Sequence, residues 1–176
     1  NALLHRILSI TAGHIDSPRG SVIVLDERDR LANAWVLTEG RLVAPNRVTM
    51  ELVLDLGLAG WVKKNRLGAV VANTADDPRW LRRPAELPRT SGPGAALAWP
   101  LLLPDRVVGV LTYVHPEPGH FTEEDVALVS AVADQITVAI ENARLFAAER
   151  RRRRVADTLQ EIAASVGSSL DVGYVL

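Results

Sequence analysis

The chain has no cysteine in 176 residues. That absence removes disulfides, thiolate metal sites, cysteine nucleophiles and thioether attachment of a cofactor together. Aromatic residues are scarce at 5%, and Trp supplies four of them against two Tyr and two Phe. Lysine is nearly missing: only Lys63 and Lys64 accompany the arginines, a bias of GC-rich bacterial genomes that says nothing of function. Neither sign of charge dominates, the net being −1, so no nucleic-acid or polyanion-binding surface is expected. No apolar run reads as reaching the roughly 20 residues that span a bilayer, and no secretory leader is apparent. A cytoplasmic segment without membrane contact is the expectation. There is no G-x-S-x-G elbow, no G-x-x-x-x-G-K loop and no H-E-x-x-H, so the segment is not expected to be an enzyme.

What is there suits a folded domain. At 48% hydrophobic and 23% charged, the chain can bury a core and is not a disordered type. Leu3, Leu4, Ile7 and Leu8 recur at helical spacing over residues 2–12, and Gly13 to Gly20 end the pattern. Ser21–Leu25 and Leu31–Leu37 are apolar runs around a polar turn, a predicted hairpin. Residues 41–56 permit a strand or a short helix. A helix begins near Gly57, with Lys63 and Lys64 in its last turn, and Ala69–Ala72 is a short strand. Residues 73–94, with Pro78, Pro84, Pro88 and Pro93, form a long polar loop of the kind that carries function. Ala95–Leu103 and Val107–Val114 make a second hairpin. Thr122 then caps a long helix with Asp125 three residues on.

That helix meets no breaker before Gly167. Val129, Val132, Ile136, Ala139, Ala143 and Phe146 recur at steps of three and four, a stripe expected to pair two copies of the chain and carry a signal. Arg150–Arg154 surrounds the helix on all sides, so it reads as a solvated junction that loosens such a pairing. Leu4, Ile7, Ile15 and Asp16 match Leu159, Ile162, Leu170 and Asp171 at a constant offset. The expected organisation is therefore a domain over 1–148, an Arg-rich junction over 149–154, and the first helix of a second copy over 155–176. On this reading Asn1 and Leu176 are the cut ends of a longer chain.

Four motifs occur in order: Gly57-Leu58-Ala59-Gly60-Trp61-Val62, Asp77-Pro78-Arg79-Trp80, Trp99-Pro100-Leu101 with Arg106-Val107-Val108-Gly109-Val110-Leu111, and Phe121-Thr122-Glu123-Glu124-Asp125 with Ala139-Ile140-Glu141-Asn142-Ala143-Arg144-Leu145. With the element order, they make the chain resemble a GAF domain. The resemblance implies an α+β, GAF/PAS-like fold: a central antiparallel sheet, the terminal helices on one face, a small-molecule pocket on the other, and a long projecting exit helix. It also implies a sensor in a bacterial signalling protein such as a histidine kinase, dimeric through its helices and coupled to a downstream module of the same chain. The alternative is a ligand-free dimerisation module in a diguanylate cyclase, phosphodiesterase or transcription regulator.

The family's cyclic-nucleotide signature is broken here, with His115-Pro116 and Val126 where it has Asn-Lys and Glu. A covalent bilin and the family's methionine sulfoxide reductase chemistry each require a cysteine. No cofactor is identified and no metal site is expected; His14, His115 and His120 read as solvated turn residues. Pocket candidates are Trp35, Trp61, Trp80, Arg89, Thr90 and Trp99; the plainer reading makes the tryptophans core anchors, Trp61 and Trp99 above all, and Arg89 a solvated loop charge.

Overall fold

The computed structural model describes residues 2–81 and 93–171. Arg89 and Thr90 lie outside them. The chain divides into two units, Asn1–Thr137 and Val138–Leu176. The division falls eleven residues ahead of the boundary expected at 148.

The first unit is built on a six-stranded antiparallel sheet of order β3-β2-β1-β6-β5-β4. Its strands are β1 (Arg19–Leu25), β2 (Leu31–Thr38), β3 (Arg41–Val43), β4 (Ala69–Val71), β5 (Ala95–Leu102) and β6 (Val107–His115). Its helices are α1 (Ala2–His14), α2 (Arg47–Leu56), α3 (Leu58–Asn65) and the start of α4 (Glu123–Asp171). Both expected hairpins form, β1 with β2 and β5 with β6. The ambiguous stretch 41–56 is both things in turn: a three-residue edge strand, then a helix. Asn46 makes the switch, its side chain accepting the Thr49 N–H at 3.1 Å as an N-cap.

Register divides the strand residues between two faces. Val22, Leu111 and Trp99 stand side by side across β1, β6 and β5, as do Gly20, Tyr113 and Leu97. This face carries α1. The Tyr113 ring and a methyl of Leu8 crowd the Gly20 Cα, and the Tyr113 hydroxyl donates to the Leu8 carbonyl at 3.3 Å. Burial pushes the Tyr113 phenol up, with a smaller opposing effect from its hydrogen bond to Thr11. The terminal helices pack here: Leu4, Leu8 and Ala12 of α1 and Val129, Ala133 and Ile136 of α4 are buried.

Alternate residues of the same strands form the second face. Ile23, Ala34, Val110, Ala96, Ala98 and Val71 join Met50, Leu54, Leu58, Ala59 and Val62 of α2 and α3 in one buried cluster. The two Gly of the G-x-x-G-W-V motif allow this. A Cβ on Gly60 would stand 2.3 Å from the Leu54 carbonyl oxygen, so only glycine lets α3 start so close to the last turn of α2.

α4 is one helix of 49 residues, about 74 Å at 1.5 Å per residue. Thr122 and Asp125 cap it reciprocally: the Thr122 N–H donates to the Asp125 carboxylate at 2.8 Å, and the Asp125 N–H to Thr122 Oγ1 at 3.3 Å. It runs through Arg150–Arg154 and Gly167 without interruption. Residues 123–165 include an 18-residue window of mean hydropathy 1.3, long and apolar enough by composition alone to cross a membrane. That corrects the expectation that no stretch reaches this measure. The stretch includes the buried Val129, Ala133 and Ile136, as core helices of globular domains do.

Candidate functional site

The α2–α3 face holds two half-buried aromatic side chains. Trp61, on α3, and Trp80, in the turn after β4, are partly buried and pack on the cluster together with Val36, Val53 and Val114. The Asp77-Pro78-Arg79-Trp80 turn is self-closed. Asp77 accepts the Arg79 backbone N–H at 2.8 Å, and its carbonyl accepts the Trp80 N–H at 3.1 Å, the Asx arrangement its sequence predicts. The Arg79 guanidinium grips the same carboxylate through Nε at 2.9 Å and Nη2 at 2.6 Å. The side-chain bonds from Arg79 hold the Asp77 carboxyl below the usual carboxylate range, against a smaller opposing effect of burial. The guanidinium carbon also lies 4.6 Å from the centre of the Trp61 ring, a cation–π contact. One arginine therefore ties the loop to α3.

The strand floor of this face is polar at one row. Val36, Ser21, Thr112 and Ala98 are neighbours across β2, β1, β6 and β5. Ser21 and Thr112 are half-buried, and each is the hydroxyl residue of an otherwise apolar strand centre. Sequence reading passed over both. Their signal was present in Ser21-Val22-Ile23-Val24-Leu25 and Val108-Gly109-Val110-Leu111-Thr112: a polar side chain at an inward position of an apolar strand.

The tryptophans do not converge. Trp35 pairs with Val22 and Trp99 with Leu111, so both stand on the α1 face, across the sheet from Trp61 and Trp80. The Trp99 ring lies where a Cβ on Gly68 would be, 2.2 Å from it, so it is packed on the chain entering β4. Of the four, two stand on the α2–α3 face, Trp61 and Trp80, and two on the other, a division that sequence spacing does not reveal because it depends on strand register.

The expected pairing stripe on α4 also divides. Val129 and Ile136 are wholly buried within the chain and cannot serve a partner helix. Ala139, Ala143 and Phe146 are a continuation of that stripe, and Val132 is half-buried. Of the stripe, Phe146 stays exposed at 68%, beside apolar side chains outside it: Val138 at 56%, Leu145 at 60%, Leu159 at 61%, Val155 at 55% and Ile162 at 54%. Those outside the stripe follow a strict heptad, with Val138, Leu145, Arg152 and Leu159 at one position and Glu141, Ala148, Val155 and Ile162 three residues on. Val138 lies two residues beyond Ile136, about 200° round the helix. The sequence stripe thus merged a domain-core face with part of the solvent-facing surface.

Residues 1–141 match the family model described as a GAF domain. No curated protein matches the sequence. Among solved structures, the chain is similar to the GAF domain of a phosphoenolpyruvate-protein phosphotransferase from Coxiella burnetii, at 20% identity and a TM-score of 0.61, over 82% of this chain and 86% of that one. It is similar to the GAF domain of a two-component sensor histidine kinase from Bacillus halodurans, at 17% identity and a TM-score of 0.55, covering 82% and 97%. It is also similar to the free methionine-R-sulfoxide reductase of Neisseria meningitidis, at 15% identity and a TM-score of 0.59, covering 82% and 79%.

Proposed function

The chain belongs to the GAF domain family, and on that premise we propose that it is a small-molecule-sensing regulatory module of a bacterial signal-transduction protein. A sensor histidine kinase in the cytoplasm is the output we favour. The observation that carries this reading is the division of the sheet. The half-buried Trp61, Trp80, Ser21 and Thr112 stand on one face, and the terminal helices pack on the other. Thr112 and Val114 alternate along β6 with Leu111 and Tyr113, which face the helices. A ligand that shifts β6 from one side therefore displaces side chains under α1 on the other. Two aromatic rings and a row of hydroxyls suit a planar, weakly polar molecule. The chemistry of the reductase relatives has no thiol here.

The partner we propose is a second copy, joined in parallel along the exposed heptad of α4. Apolar side chains at alternating three- and four-residue steps are what a two-stranded coil buries. Arg152 falls in that seam, so it, rather than Arg151 or Arg153, sets like charges opposite each other and weakens the coil locally.

Purified protein tests both parts. A thermal-shift screen with a metabolite library, followed by native mass spectrometry, should find a ligand whose effect disappears in Trp61→Ala. A dimer with no ligand in either assay supports the ligand-free dimerisation module and overturns sensing. The double variant Leu145→Ser, Leu159→Ser should sediment as a monomer; an unchanged dimer overturns the seam.

A further inference from the structure

The turn between β6 and α4, His115-Pro116-Glu117-Pro118-Gly119-His120, gathers two imidazoles and a carboxylate. Ligand-capable atoms of His115, Glu117 and His120 lie within 4.8 Å of one another. The two rings are stacked, their centroids 3.5 Å apart and their planes 12° from parallel. These histidines are not the isolated turn residues the sequence suggests.

The hydrogen bonds around them resemble those around metal-ligating histidines. His120 Nε2 lies 2.9 Å from the Ile15 carbonyl. A carbonyl only accepts, so Nε2 carries a proton, and in the neutral ring Nδ1 keeps its lone pair. A ligating histidine characteristically donates its other ring N–H to a backbone carbonyl in this way. Phe121 lies edge-on to the His120 ring with centroids 5.2 Å apart, limiting its rotation. The surrounding backbone is anchored too, the Gly119 N–H donating to the Ala72 carbonyl at 2.7 Å. His115 Nδ1 accepts the Glu117 N–H at 3.0 Å, so it also presents a lone pair rather than a proton.

We propose that His115, Glu117 and His120 bind a divalent transition-metal ion, Zn²⁺ by the chemistry of its donors, with water completing the coordination. Two imidazoles and one carboxylate are a donor set Zn²⁺ takes when a fourth position stays open. Tetrahedral bonds of about 2.0–2.1 Å place donor atoms about 3.3 Å apart, so the three groups close by side-chain rotation and the rings splay from their stack. The ion takes the His115 lone pair, and the exposed Glu117 N–H turns to water. His115 and His120 bind as neutral rings. The turn directly precedes the Thr122 cap of α4 and is bonded to the end of α1 through Ile15. Loading therefore fixes the start of one terminal helix against the end of the other. The proposal does not depend on a ligand at the α2–α3 face.

The test uses tag-free protein stripped with a chelator. Zn²⁺ titrated by calorimetry should bind one per chain and raise the melting temperature, and Co²⁺ should give the visible absorption of a tetrahedral N/O site. Nuclear magnetic resonance should show the Glu117 amide and both ring signals moving on saturation. Glu117→Gln, an exposed change that leaves the fold intact, should weaken binding at least about tenfold, and His120→Ala should abolish it. His5→Ala and His14→Ala should bind as the parent does. Absence of stoichiometric binding, or unchanged affinity in Glu117→Gln and His120→Ala, overturns the proposal.

Discussion

The two faces of the sheet are made by alternate residues of the same strands, yet they are packed to different ends. Under the terminal helices, Val22, Leu37, Leu97, Leu101, Leu111 and Tyr113 have at most 1% of their surface exposed. Opposite them, Ser21, Val36, Thr112 and Val114 stay half-buried, and Val36 and Val114 pack on the same cluster as Trp61 and Trp80. The closed face fills its space with large aliphatic side chains, where each lost methylene costs transfer and cavity energy. The α2–α3 face has small residues in its strands, Ala34, Ala96 and Ala98, and relies on helices and a turn to cover it. Both faces hold a buried core, but the α2–α3 face leaves Trp61 and Trp80 partly buried at its margin.

The largest effect that should follow from this contrast is at Ile136. It is fully buried, and Ile136→Ala should cost about 2–5 kcal/mol in urea unfolding. Leu159→Ala, on the same helix but 61% exposed, should change unfolding of a dilute, monomeric sample by less than about 0.5 kcal/mol. Equal losses at the two positions would erase the distinction between the core stripe and the exposed heptad.

That distinction also marks where sequence reading succeeds. Both hairpins, α1, α3 and the α4 cap follow from local chemistry: alternation in Ser21–Leu25, Gly57 before a helical pattern, Thr122 three residues ahead of Asp125. The family's fold followed from motifs placed along the whole chain. The site was less legible. That Trp35 faces away from the α2–α3 side depends on its standing opposite Val22, and register is a long-range property. The same limit affected α4. Ile136 and Phe146 both fit a helical stripe, but only packing separates a residue at 0% exposure from one at 68%. His115 and His120 looked solitary because ring stacking across a six-residue turn leaves no periodic trace.

A smaller effect sharpens the account of the α2–α3 face. Gly60→Ala puts a methyl 2.3 Å from the Leu54 carbonyl oxygen, backbone against backbone, so α2 and α3 must separate. The expected cost is about 1–3 kcal/mol by thermal denaturation. The closed face should be untouched, so slow hydrogen exchange at the β6 amides should persist in the native state. Destabilisation together with uniform loss of that protection would mean that the two faces are not separable.

The smallest effect concerns the ion pair that holds the turn. The Asp77 side chain is 15% exposed and that of Arg79 28%, so the pair is partly screened and its hydrogen bonds contribute about 1 kcal/mol. Asp77→Asn should cost that much at neutral pH. The Asp77 carboxyl is held below its unfolded-chain value, chiefly by the side-chain bonds from Arg79. Its contribution is therefore complete above the unfolded carboxylate pKa of about 3.9 and is lost as pH falls through the lower, folded value. The parent and Asp77→Asn should accordingly differ in stability at pH 7 and converge in acid. Because Arg79 also lies over the Trp61 ring, freeing it should alter Trp fluorescence with the same pH dependence. A stability gap that stays constant from pH 7 into acid would remove the ion pair as the link between the loop and α3, leaving packing of Trp80 on the cluster to hold the turn.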